Sequence, residues 1–72
     1  MIVVHVSKYG KPASGVPVTL SFSGVTRLGH AEGRTDSKGQ AAFSKDPGDG
    51  TIYVDGREVY SGRVSGSHYF SL

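Results

Sequence analysis

Two runs decide the fold of this chain: Ile2-Val3-Val4-His5-Val6-Ser7 and Val16-Pro17-Val18-Thr19-Leu20-Ser21-Phe22. In the second, Val16, Val18, Leu20 and Phe22 alternate with Pro17, Thr19 and Ser21, the period-two pattern of a strand with one buried face. Ile2, Val4 and Val6 alternate with Val3, His5 and Ser7 in the same way. The link between them, Tyr9–Gly15, carries Gly10, Lys11, Pro12, Ser14 and Gly15, which is turn chemistry. The opening therefore reads as strand, turn, strand.

Working outward, Thr35-Asp36-Ser37-Lys38-Gly39 reads as a turn and Gln40–Ser44 as a short strand with Ala41 and Phe43 facing inward. Asp46-Pro47-Gly48-Asp49-Gly50 reads as a second turn. Gly24–Glu32 fits either an edge strand using Val25, Arg27 and Leu28 or an irregular loop. In Thr51–Tyr60, Asp55-Gly56 sits between two alternating runs, the preferred two-residue hairpin turn because both central residues accept positive φ. Counting outward pairs Val54 with Arg57, Tyr53 with Glu58, Ile52 with Val59 and Thr51 with Tyr60. That register predicts a core face of Ile52, Val54 and Val59, with Tyr53 and Tyr60 together on the other. Ser61–Ser65 continues the strand, Ser65-Gly66 turns it, and Ser67–Leu72 is the last strand.

Eleven glycines punctuate the chain and no window sustains a 3.6-residue apolar period, so long helices are disfavoured. About seven short strands at this spacing predict a single domain over residues 1–72, an all-β antiparallel sandwich with Greek-key connections. Its expected core is Ile2, Val4, Val6, Val16, Val18, Leu20, Phe22, Phe43, Ile52, Val54, Val59 and Phe70. A domain of this size buries only ~60% of its unfolded surface. With no cysteine, neither a disulfide nor a thiolate metal site can reinforce it. Self-association or packing against a protein partner is therefore expected.

The chain has no Asn, hence no N-glycosylation sequon. Ile2–Val6 is too short and too interrupted for a signal peptide, and no run approaches the ~20 apolar residues of a membrane span. A Met1 start fits a complete, cytoplasmic chain, although a domain cut from a longer protein would look the same. The net charge is +2, unevenly laid out. Before Glu32 the charged residues are Lys8, Lys11 and Arg27; from there on five basic and six acidic residues mix. A basic first third could attract an anion, or could simply solubilise the turns.

The stretch Gly10-Lys11-Pro12-Ala13-Ser14-Gly15-Val16-Pro17-Val18-Thr19-Leu20, followed by Thr35-Asp36-Ser37-Lys38-Gly39-Gln40-Ala41-Ala42-Phe43 and Thr51-Ile52-Tyr53-Val54, resembles the carboxypeptidase regulatory-like domain. That family repeats strand, Gly-x-Pro turn, Val-x-Val strand, Thr-Asp-x-x-Gly turn and aromatic strand. The resemblance implies a transthyretin-like sandwich and a non-catalytic accessory or interaction module, with no site residues to carry over. A narrower resemblance is to 5-hydroxyisourate hydrolase, whose start is similar to His5-Val6 and Gly10–Val18. It implies a catalytic His5, which alternation points away from Val4 and Val6. The family's Arg falls on Gln40 here, with Arg34 the nearest substitute. His68, in Ser67-His68-Tyr69-Phe70-Ser71-Leu72, stands loosely for its second histidine, and its terminal Tyr-Arg-Gly-Ser is missing.

Ureide hydrolysis needs a base to activate water and a cation for the anionic oxygen. His5 is the candidate base and Arg34 or Lys8 the candidate cation; the alternative is that His5 is an exposed strand residue. His5, His30 and His68 do not stand at metal-ligand spacing, and no cofactor is implied. Asp46–Gly50 lacks the donor pattern of a calcium loop, and Gly24–Gly29 lacks the Lys and Ser or Thr that a phosphate loop requires. Tyr53 and Tyr60, with Arg57 beside them and Tyr69 as a further member, form the candidate binding face. A protein fits it best and carbohydrate is a second option; the acids among its cations disfavour nucleic acid. Cross-strand tyrosine pairing that merely stiffens a sheet is the plain alternative. The sequence thus points to a non-catalytic interaction module, with a small 5-hydroxyisourate hydrolase-like enzyme using His5 as the alternative.

Overall fold

The structure is a computed structural model and describes residues 1–22 and 30–72. Eight strands appear in it: β1 Ile2–Lys8, β2 Lys11–Pro12, β3 Pro17–Phe22, β4 His30–Arg34, β5 Gln40–Phe43, β6 Gly48–Val54, β7 Arg57–Val64 and β8 Ser67–Ser71. They form two sheets packed face to face, an all-β sandwich. In the back sheet the order is β4-β3-β6-β7, all antiparallel. In the front sheet β1 is central, with β5 and β2 pairing antiparallel to successive parts of it and β8 running parallel to it.

The alternation read in the sequence builds the core. Ile2, Val4, Val6, Val18, Leu20, Phe22, Ala41, Phe43, Ile52, Val54 and Val64 are buried between the sheets. Within the front sheet Ile2 faces Phe43 and Val4 faces Ala41; within the back sheet Leu20 faces Ile52 and Val18 faces Val54. Directly opposed apolar side chains of this kind are what hold a sheet in register. Val16, Val59 and Phe70 pack only partly buried against this core. Val64, missing from the expected core, is fully buried; it lies opposite Gly48 at the open end of the β6–β7 hairpin.

Two turn readings need correction. Gly48, Asp49 and Gly50 belong to β6 rather than to a turn. Gly50 is buried opposite Phe22, where a Cβ would lie 2.3 Å from the Ser21 carbonyl oxygen, so the residue demanded there by close strand approach is the one usually read as a turn. The link Tyr9–Gly15 likewise contains the two-residue β2, reached through Tyr9 and Gly10 at φ +55° and +76°. The alternatives for Gly24–Glu32 fall partly on residues 23–29, outside the described residues; His30, Ala31 and Glu32 are in β4.

The late hairpin turns at Asp55-Gly56, with φ +54° and +79°. Val54 faces Arg57 and Tyr53 faces Glu58 as counted, but Ile52 then faces Tyr60 and Thr51 faces Ser61. Val59 is the extra residue of a bulge. A bulge shifts the register by one, and a one-residue shift carries every following side chain to the other face. Tyr60 therefore shares the inner side with Ile52, and Tyr53, flanked by Thr19 and Glu58, stays on the outer side. No shared Tyr53/Tyr60 face exists.

Two of the links that join the sheets, β2 to β3 and β4 to β5, are fastened by hydrogen bonds of Thr35 and Asp36. The Thr35 hydroxyl donates to the Ala13 carbonyl and accepts from the Val16 amide, while the Thr35 backbone bonds Val16 and Gly15. The Asp36 carboxylate accepts the amides of Lys38 and Gln40 at 2.9 and 3.0 Å. These amides, Gln40 first and Lys38 next, hold the Asp36 carboxyl below its ordinary value of 3.8. A lowered folded pKa stabilises the fold at pH values above the unfolded one, and that contribution disappears as pH falls through the folded one. Urea midpoints from neutral pH down to about pH 2 should show the wild type losing stability below the ordinary aspartate range. Asp36→Ala should lose less over that window, so the two curves converge in acid; parallel curves would show that the turn does not depend on the charge.

Candidate functional site

His5 lies on the outer face of β1, between the buried Val4 and Val6, as its alternation requires. The parallel register of β8 sets Tyr69 directly beside it. Their rings stack at 4.2 Å between centroids and 10° between planes. This stack borders an open cleft of about 390 Å³ whose other walls include Ser7, Lys11, Lys38 and Ser71. Its lining carries two ammonium groups and no carboxylate.

The lysines reach the cleft through backbone bonds to one residue of β1. The Val6 amide donates to Gly39 C=O, which brings the Asp36–Gly39 turn and Lys38 alongside. The Val6 carbonyl accepts the Ala13 amide, which brings β2 and Lys11. Lys8, the cation considered for His5, is on the opposite side of β1, beside Val54, Asp55 and Leu72. Lys38 takes the position instead, and nothing in its sequence spacing from His5 signals that.

The other candidates lie elsewhere. His68 is half-buried on the inner side of β8, tilted against Tyr60 at 4.6 Å and parallel to Phe70 at 6.2 Å. Its Nε2 accepts the Ser65 amide at 3.3 Å. The Tyr60 hydroxyl donates to the Arg63 carbonyl. Arg34 is on the edge strand β4 of the back sheet, where its guanidinium donates to the Gly15 carbonyl at 2.9 Å. His30 pairs with Glu32 at 3.2 Å on the same strand. Arg57 is exposed beside the hairpin turn, opposite Val54. His5, Arg34 and His68 thus stand on three surfaces, and among the described residues no group of three or more His, Cys, Asp or Glu could hold a metal.

β8 also leaves one edge open. Its ladder to β1 runs from Val3 N–H donating to Gly66 C=O through to Leu72 N–H donating to Ser7 C=O. In such a ladder the even-numbered residues turn their backbone groups to β1 and the odd-numbered ones turn theirs away. Ser67, Tyr69 and Ser71 therefore present N–H and C=O groups to the outer edge, where no described strand pairs with them.

Set against protein-family models, curated proteins and solved structures, the chain matches none of them. No helix among the described residues is long and apolar enough to cross a membrane.

Proposed function

We propose that this chain is a non-catalytic protein-interaction module of the transthyretin-like, carboxypeptidase regulatory-like kind, which docks an extended protein segment on the outer face of β1 and β8. The observation that carries this reading is Tyr69. It is 73% exposed, yet its ring lies flat on His5 beside the cationic cleft and an unpaired strand edge. An ordered, exposed aromatic of this kind supplies contact area with little entropy left to lose on binding. Backbone groups along β8 would hold an added strand, and Lys11 and Lys38, across β1 from it, would favour acidic side chains that reach over the cleft. Tyr53, Tyr60 and Arg57 are secondary to this face, because the bulge at Val59 separates the two tyrosines.

Panning a library of extended hexapeptides against the immobilised chain tests this. Acidic and aromatic sequences should be enriched, and Tyr69→Lys together with Lys38→Glu should weaken their binding at least about tenfold. Retention of the same peptides by both variants would overturn the docking face. The second reading, a 5-hydroxyisourate hydrolase-like enzyme, draws on the outward His5 with Lys38 across the cleft. It requires ureide turnover that disappears in His5→Ala; without such turnover the interaction reading stands alone.

A further inference from the structure

We infer that the segment taken up by the open edge of β8 is β8 of a second copy, paired antiparallel about Tyr69 to join two front sheets into one. The inference rests on the interaction reading above and names its partner. The described sandwich has four open sheet edges, one of them shared by β5 and β2, and three carry features that discourage pairing. On β4, His30, Glu32 and Arg34 line the outer side. β7 is broken by the bulge at Val59 and bears Arg57, Glu58 and Arg63. β5 has only four residues and yields to β2 along the same side of β1. β8, with five residues, has no bulge, no proline and no Lys, Arg, Asp or Glu, and no other described strand shares its side of β1.

Its lack of charge bears on the identity of the partner. Two copies of a charged edge set like charges against each other, whereas two copies of Ser67-His68-Tyr69-Phe70-Ser71 do not. Centring the pair on Tyr69 places Ser67 of one copy opposite Ser71 of the other. Each outward N–H and C=O of Ser67, Tyr69 and Ser71 then meets a partner. Directly opposed strands at a two-fold axis also bring Tyr69 against its own copy, so that the His5–Tyr69 stack continues as a row of four rings. The arrangement uses the same edge on both copies and closes on itself, giving a dimer and not a fibre. Lys11 and Lys38 lie across β1 from this edge and do not face their copies through it.

Sedimentation equilibrium over a concentration series tests the inference. The wild type should rise from the 7.6 kDa chain mass towards twice that value. Tyr69→Lys, which places like charges across the axis, should weaken association at least about tenfold. Ser71→Pro removes an outward N–H that no strand of the same copy uses, and should do the same while circular dichroism stays that of the wild type. A wild type that remains at the chain mass up to millimolar concentration overturns the inference, as does a dimer indifferent to both substitutions. Peptide capture by a protein that stays monomeric would overturn self-pairing and leave the interaction reading in place; loss of both would remove both.

Discussion

Ile52→Ala should cost about 2–5 kcal/mol, the range for truncating a large aliphatic side chain in a packed core. Ile52 is fully buried and faces Leu20 on one side and Tyr60 on the other. The front sheet closes over it, so the cavity left by truncation has few ways to collapse. A chain of 72 residues has a total stability of roughly 4–11 kcal/mol, so this one change removes a large share of it. Thermal melts should show the midpoint falling by about 10 °C or more, since each kcal/mol is worth ~4–8 °C in a domain of this size. Ile52→Val should cost only about 0.5–1.5 kcal/mol. A loss under about 1 kcal/mol for Ile52→Ala would mean that the sheets are not packed at this position.

Gly39→Ala should be the other severe change. Gly39 has φ +76°, a region that costs an L side chain about 1–2 kcal/mol. A Cβ there would also stand 2.5 Å from the Val6 carbonyl oxygen and 3.2 Å from the Ala13 nitrogen. These are backbone atoms of the central strand and its neighbour, and they cannot swing aside as a long side chain would. The turn must therefore lift from β1, weakening the Val6–Gly39 hydrogen bond and drawing Lys38 out of the cleft. The expected loss is about 2 kcal/mol or more. Gly56→Ala is the matching control: its φ is +79°, but a Cβ there meets nothing within 4 Å. It should cost only the conformational term, about 1–2 kcal/mol. Equal urea midpoints for the two variants would show that the approach to Val6 is not what demands glycine at position 39.

The two glycines differ in how legible they are. Asp55-Gly56 announces its hairpin because the turn is local: both φ values follow from which residues tolerate them. The role of Gly39 is half local, as part of the Asp36 turn, and half tertiary, as a contact with a strand more than thirty residues away in the chain. The bulge at Val59 shows the same boundary. Alternation alone gives an unbroken ladder, and the pairs Val54–Arg57 and Tyr53–Glu58 fit it. Beyond them, burial of Tyr60 against the core and its contact with His68 accompany a one-residue insertion. His68 comes from the other sheet, so the run Thr51–Tyr60 does not contain the whole reason for the change of face.

The candidate site divides likewise. His5 is legible because strand alternation decides which side of β1 it occupies. Tyr69 joins it only through the register of β8, and Lys38 only through the docking of a turn. The sequence by itself determined the all-β class, most of the core and both positive-φ residues of the late hairpin. These follow from interactions between near neighbours along the chain: the period of two and the conformational tolerance of individual residues. Tertiary structure alone decided the parallel pairing of β8, the separation of Tyr53 from Tyr60, and the meeting of His5, Tyr69 and Lys38. Those depend on which distant segments compete for the same edge or the same inner surface, and that competition is settled only when the two sheets close on each other.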